Sequence, residues 1–266
     1  MTETAKDRWA SGDLYEPYVG RWSRLVARQF LSWVGAPQGL DWLDVGCGTG
    51  ALTEAVAELC TPKRLVGIDP SPAFLNFARQ RLGDNRAEMR EADAQSLPFA
   101  RAEFDRVVSG LVINFVPDHA AAASEMARVL RPGGELALYV WDYAGRMELM
   151  RYFWDAAAAL DCVALDLDEG RRFPICSPER LRELLAKTGL SEIDTRAIDV
   201  RTVFRDFDDY WAPFLGGQAP APGYCMSLDE DARVALRERL RASLPTQPDG
   251  SINLVARAWA VRGQKG

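Results

Sequence analysis

Three carboxylates and three glycines are spaced so that a chemistry can be read from them. Leu43-Asp44-Val45-Gly46-Cys47-Gly48-Thr49-Gly50 places glycines directly after the short apolar run Trp42–Val45. Glycine tolerates positive φ and lets a ligand lie against bare backbone. Such a loop at the carboxyl end of a strand is where open α/β sheets bind nucleotides. Asp69 follows about 20 residues later, where a carboxylate accepts hydrogen bonds from ribose hydroxyls. Asp93, in Glu91-Ala92-Asp93-Ala94, comes after the next strand-like run and is placed to read an adenine amino group. Gly46-x-Gly48-x-x-Ala51 also satisfies the looser nicotinamide-cofactor pattern. The loop alone therefore specifies an adenosine-containing cofactor and leaves open whether it is a dinucleotide or an adenosyl sulfonium.

The elements that must position these groups are legible from periodicity. Trp22, Leu25, Val26, Gln29, Phe30 and Trp33 recur at helical spacing, and Gly35, Pro37 and Gly39 end that helix. Trp42–Val45 and Leu65–Ile68 read as buried strands with the helix Ala51–Leu59 between them. Ser71-Pro72 supplies an N-cap and an N1 proline for a helix through Leu82. Arg86–Glu91, Phe104–Ser109 and Glu135–Trp141 read as further strands. Asp118 caps a helix that stops at Arg131-Pro132-Gly133-Gly134. Strands alternating with helices imply right-handed crossovers and a parallel sheet covered on both faces.

Beyond Trp141 the pattern changes. Met147–Leu165 reads as one helix, and Ser177-Pro178 opens another. Ile193–Phe204 and Ile252–Val261 alternate like edge strands. Between those strands lie the aromatic residues Phe207, Tyr210, Trp211 and Phe214, a Gly/Pro-rich loop Gly216–Gly223, and a charged helix Leu228–Leu240. The tail Gly263–Gly266 is expected to be disordered. The expected organisation is one domain: an N-terminal helical lid segment (1–40), a cofactor-binding core (41–143), and substrate-side helices with closing strands (144–266) carrying an insertion at 206–250.

Asp44 decides between the cofactors. A carboxylate just ahead of the loop would repel a pyrophosphate but suits the ammonium and sulfonium charges of S-adenosylmethionine. The long helical segment ahead of the first strand and the placing of Asp93 point the same way. A nicotinamide-dependent oxidoreductase remains a rival, although no evident Tyr-x-x-x-Lys pair is present. A non-catalytic adenosyl-binding protein is a second rival.

Leu43–Gly50, Gly67-Ile68-Asp69, Ala92-Asp93-Ala94, Leu97-Pro98-Phe99, Phe104-Asp105 and Leu130-Arg131-Pro132-Gly133-Gly134 resemble the successive motifs of class I S-adenosylmethionine-dependent methyltransferases. The similarity is to the ubiquinone/menaquinone-biosynthesis type and related small-molecule enzymes, and it covers about Tyr15 to Trp141. It implies a Rossmann-like α/β fold with a seven-stranded, mostly parallel sheet, its last strand antiparallel. It also implies roles. Gly46, Gly48 and Gly50, with Cys47, would pass under the methionine moiety, and Asp44 would hold its amino group. Asp69 would bind the ribose, Pro70 would flank the adenine, and Asp93 with Ala94 would read its edge. Ser109 would sit near the methyl group. Each has a plainer reading: Asp44 and Asp93 as turn residues, Asp69 as a helix N-terminal carboxylate, Cys47 as a small filler.

Methyl transfer from a sulfonium needs mainly positioning and exclusion of water, with a base only for a protonated acceptor. The single histidine, His119, reads as a solvated helix-start residue. Tyr15, Tyr18, Asn114 and Tyr143 are the candidates near the reacting groups. Arg21 is a candidate partner for the cofactor carboxylate, and Trp141, Trp211 and Phe214 for lining the acceptor site. The aromatic residues serve equally well as plain core.

Composition bounds the rest. A chain of 266 residues can bury a sizeable core, and its net charge of −6 disfavours nucleic acid and anionic membranes. Five scattered cysteines without a CxxC pair argue against a disulfide framework or a metal site. With no signal-like or membrane-spanning segment expected, the reading is a cytoplasmic monomer or homodimer acting on a small-molecule acceptor.

Overall fold

The computed structural model describes residues 16–35, 37–83, 86–217 and 219–266. Its elements follow in chain order. A short π-helical turn, Glu16–Gly20, leads into α1 (Arg21–Val34), then β1 (Asp41–Val45), α2 (Ala51–Leu59), β2 (Arg64–Asp69), α3 (Pro72–Leu82), β3 (Glu88–Glu91) and β4 (Phe104–Gly110). Next come α4 (His119–Val129), β5 (Leu130–Trp141), α5 (Glu148–Ala158), α6 (Glu169–Arg172), α7 (Pro178–Ala186) and β6 (Ser191–Phe204). The chain finishes with α8 (Phe207–Trp211), α9 (Pro220–Ser227), α10 (Glu230–Ser243) and β7 (Ile252–Gln264).

The seven strands form one sheet in the order β3-β2-β1-β4-β5-β7-β6. β1 pairs in parallel with β2 and β4, while β7 runs antiparallel to β5 from Glu135↔Gln264 to Trp141↔Ala258. The sheet is thus the expected Rossmann-like one with an antiparallel last strand. The order reverses at β1/β4, which puts the carboxyl end of β1 at the topological switch point. β1 is buried along its whole length, as a strand covered on both faces must be.

The described chain divides into two compact units: residues 16–22, 142–174 and 199–257 form the first, and 23–141, 175–198 and 258–266 the second. The second holds the parallel core. There Val26, Ala27 and Phe30 of α1 are fully buried, with the Phe30 ring 4.7 Å from Tyr139. The first has an aromatic interior in which Phe153 stacks on Phe214 at 4.5 Å, Tyr18 meets Phe214 edge-on at 5.6 Å, and Tyr210 donates to the Leu149 carbonyl.

Four expectations are corrected. The helix begun near Met147 ends at Ala158, because the Asp161 side chain accepts from Val163 N–H and starts a separate turn, Cys162–Asp166. The Gly/Pro-rich stretch is not one loop. Ala212–Gly216 is a 3₁₀ turn, Gly217 turns at φ 67°, and Pro220 sits at the start of α9. β7 is no edge strand, since it lies between β5 and β6.

The tail, lastly, is ordered through backbone pairing and through Lys265. The Lys265 ammonium donates to the carbonyls of Ala127 (2.6 Å), Leu130 (2.7 Å) and Arg128 (3.4 Å), at the carboxyl end of α4. A cation there completes carbonyls that the helix leaves unpaired. Replacing Lys265 with Met should lower stability by about 1–2 kcal/mol, read as a fall in the denaturation midpoint at unchanged m-value.

Candidate functional site

The site grows out of the end of β1, inside the second unit. Gly46 and Cys47 both donate to the Ile68 carbonyl at 2.8 Å, which turns the chain away from the sheet. Gly46, Gly48 and Gly50 have φ of 76°, 52° and 87°, where side chains are strained. A Cβ on Gly46 would meet the Val112 side chain at 2.5 Å, whereas Gly48 faces open space with nothing within 4 Å. Gly48 therefore leaves a bare cradle of the kind a ligand can occupy. Gly50 caps α2 with no side-chain bond to its first turn.

Two carboxylates hold this loop. Asp69 accepts from Gly48 N–H at 3.0 Å and from Ser71 N–H at 2.8 Å, so it ties the glycine loop to the start of α3. Each oxygen keeps a free lone pair for a hydroxyl. Burial raises its pKa, opposed by those two N–H donors. Asp44 lies under the loop and is completely buried. Its Oδ2 accepts from the Thr53 hydroxyl of α2 at 2.6 Å, while Oδ1 has no partner. Burial, with the nearby charge of Asp69 adding to it, pushes the carboxyl up to about 7 against the pull of Thr53. An inner carboxylate oxygen without a donor is a costly feature in a fold. It suits a cationic donor such as an ammonium group, so the residues present fit the adenosyl sulfonium that the sequence implies.

The remaining expected residues fall into distinct places. Pro70 and Asp93 are exposed, and Asp93 accepts from Gln95 N–H at 2.8 Å; Ala94 is buried. Cys47 is buried against Met89, its sulfur 3.9 Å from the methionine sulfur, and burial raises its pKa well above the ordinary thiol value. That is the filler role rather than a nucleophile's. The Ser109 hydroxyl donates to the Val45 carbonyl at 2.7 Å and so ties β4 to the end of β1. After β4 the chain turns through Leu111 at φ 64°, a strained conformation for a bulky residue. This sets Val112 over Gly46 and leads into the short turn Ile113–Phe115. Within that turn Asn114 is 5% exposed, and neither its amide oxygen nor its amide nitrogen has a partner. His119 is half-buried, and burial lowers its pKa. Trp141 is buried in β5, paired with Ala258.

In the first unit, Arg21 pairs with Asp209 at 3.3 Å and stacks on Trp22 and Phe204, so its charge already has a protein partner. Trp211 and Phe214 are core: Trp211 stacks on Phe207, Phe214 on Phe153. Tyr143 is buried against Phe173. Tyr18 is 2% exposed and its hydroxyl has no partner. Tyr15 lies outside the described residues.

Sequence reading missed two residues here. Thr53 lies in the first turn of α2, directly after the loop, and only its burial and its bond to Asp44 reveal it. Glu169 is buried beside Asp168, accepts from the Trp154 indole N–H, and is raised to about 7 by burial. Nothing in Leu167-Asp168-Glu169-Gly170 distinguishes it from a surface glutamate.

Residues 43–138 match the model of the methyltransferase domain family. This stretch, about a third of the chain, resembles a methyltransferase domain. Similar curated proteins include an uncharacterised protein of Mycobacterium tuberculosis, 33% identical over 147 residues, covering 54% of this chain and 53% of that protein. Others are a malonyl-[acyl-carrier protein] O-methyltransferase of Hahella chejuensis (43% over 107 residues, 40% of this chain and 37% of that one) and a demethylmenaquinone methyltransferase of Bacillus licheniformis (33% over 132 residues, 46% and 57%). The chain thus spans about half the length, 53%, of the first of these relatives. Among solved structures, a putative methyltransferase of Bacillus halodurans aligns with a TM-score of 0.60 at 17% identity, over 90% of this chain and 98% of that one. A phosphoethanolamine N-methyltransferase of Haemonchus contortus, solved with S-adenosyl-L-methionine, aligns at 0.56 and 18% identity, over 92% and 52%. Among the described residues no helix is long and apolar enough to cross a membrane.

The state of Asp44 sets a pH dependence. Its folded pKa of about 7 lies above the ordinary 3.8. Between those values the folded state holds a proton that the unfolded state has released, so stability falls as pH rises through that window and levels off above it. Asp44→Asn should flatten this decline and raise the melting temperature at pH 8.

Proposed function

We propose that this protein binds S-adenosylmethionine over the loop Gly46–Gly50 and transfers its methyl group to a small, partly apolar acceptor. The observation that carries this reading is the bare inner oxygen of Asp44, sealed beneath the glycine loop with Thr53 on its other oxygen. That carboxylate takes the cofactor's ammonium group, directly or through one water, and the charge attraction is strong because the surroundings are dry. Gly48 offers backbone without a side chain to the methionine moiety. Asp69 turns its remaining lone pairs to the ribose hydroxyls while its N–H contacts keep the loop in shape. Pro70, Asp93 and Ala94 flank and read the adenine. When bound, the cofactor supplies a methyl group on a sulfonium, a leaving group that needs no further activation.

The chain's own contribution is then positioning and dryness. Ser109 and the strained turn at Leu111 fix the end of β4 against β1, which holds Val112 over Gly46, two residues ahead of the buried Asn114. An amide with both atoms free can accept from and donate to a polar group of the acceptor. The similar malonyl-[acyl-carrier protein] and demethylmenaquinone methyltransferases lend weight to a small-molecule acceptor. The acidic balance of the chain disfavours nucleic acid.

Isothermal titration should give saturable binding of S-adenosylmethionine and S-adenosylhomocysteine and none of NADH. Asp44→Asn should weaken cofactor binding about tenfold to a hundredfold, the worth of a hydrogen bond to a charged group. Binding of NADH in place of the adenosyl ligands would overturn the assignment. Asn114→Ala should leave cofactor affinity within about twofold and lower turnover by about tenfold or more.

A further inference from the structure

Gln95, in the loop after β3, is half-buried and reaches in two directions. Toward Asp93, its backbone N–H donates to Oδ1 at 2.8 Å, and its side-chain nitrogen lies 3.1 Å from each carboxylate oxygen. Toward α4, its side-chain oxygen accepts from Asp118 N–H at 3.1 Å. Asp118 caps that helix by accepting from Ala121 N–H at 2.9 Å. The rest of the loop is docked on α4 as well. A Glu125 oxygen accepts from Leu97 N–H at 2.8 Å, and Arg128 donates to the carbonyls of Leu97 (3.1 Å) and Phe99 (2.9 Å). All of these residues lie in the second unit, together with the glycine loop.

This arrangement removes two freedoms. The Asp118 N–H requires an acceptor, so it fixes which end of the Gln95 amide faces it and leaves the amide nitrogen to face Asp93. An exposed aspartate otherwise turns between rotamers. Here the donor contacts from Gln95 hold the Asp93 carboxylate in one orientation. Oδ1 takes both the backbone and the side-chain donor, whereas Oδ2 takes the side-chain donor alone and keeps a lone pair.

We propose that Gln95 is a positioning residue that sets the preference for adenine: its amide nitrogen holds the Asp93 carboxylate so that Oδ2 presents its remaining lone pair to the 6-amino group of the purine. This rests on the function proposed above, in which Asp93 meets the adenine edge. A purine without that amino group offers no hydrogen to Oδ2 and binds less well.

Isothermal titration of the full chain with S-adenosylhomocysteine, and with its analogue lacking the 6-amino group, tests the role. The wild-type protein should bind S-adenosylhomocysteine about tenfold more tightly than the analogue. Gln95→Glu keeps an oxygen for Asp118 N–H but loses the donor to Asp93 and sets a like charge beside it, so the preference should fall to about twofold or less. Gln95→Lys keeps a donor for Asp93 and loses the bond to Asp118, so it should retain most of the preference. A residue that merely tied the loop to α4 would give the opposite pattern in these two variants. In an Asp93→Ala background neither substitution should change the ratio of the two affinities further. An undiminished preference in Gln95→Glu, or a preference lost in Gln95→Lys alone, overturns the positioning role and leaves the cofactor assignment standing. Equal binding of the two ligands by the wild type overturns the adenine-reading role of Asp93 and that of Gln95 with it. Failure of the wild type to bind S-adenosylhomocysteine at all overturns the cofactor assignment itself.

Discussion

The cofactor site depends on one buried carboxylate whose hydrogen bonding is half complete. Asp44 lies one residue from the end of β1, is wholly enclosed, and is met by Thr53 on one oxygen alone. A carboxylate there is stable only if it keeps a proton or gains a cation. That constraint explains the rest of the loop. The glycines must pass above Asp44 without filling the space a cationic group would take, and their positive φ angles are what this path requires. Asp69 then has to pin the loop from the side, through Gly48, because the glycines cannot pin themselves.

The two acidic groups have different environments and so different work. Asp69 satisfies two backbone donors and anchors the loop to α3, which leaves it outward lone pairs. Asp44 satisfies one hydroxyl and holds its other oxygen in reserve. Burial raises both, and it pushes Asp44 up to about 7. The strained Leu111 and the unpaired Asn114 lie just beyond β4, the strand next to β1, and so beside the switch point of the sheet. Strain and unmet polar groups placed there suit a site held ready for a ligand.

Much of this was legible in the sequence because it is local. The run from Trp42 to Gly50, the carboxylates Asp69 and Asp93, and the Ser71-Pro72 cap are set by residue types within a turn or two of one another, and the structure bears out their elements. The failures have physical causes. Met147–Leu165 kept helical composition past Ala158, but the Asp161 side chain offered the backbone a competing turn. Gly263–Gly266 resembled a free tail because its partners, β5 and the carbonyls ending α4, are more than a hundred residues away. Arg21 meets Asp209 and the Phe204 ring, contacts across more than 180 residues that no local pattern announces. Thr53 and Glu169 gave no signal, since burial of a polar side chain is a property of the assembled fold.

The central claim is that Asp44 must ionise to receive the cofactor's ammonium group. Calorimetric titration of S-adenosylhomocysteine at pH 7, repeated in buffers of different ionisation enthalpy, counts the protons exchanged on binding. A group with a pKa of about 7 that loses its proton on binding predicts release of about half a proton, abolished in Asp44→Asn. Binding with no proton release in the wild-type protein would contradict the account.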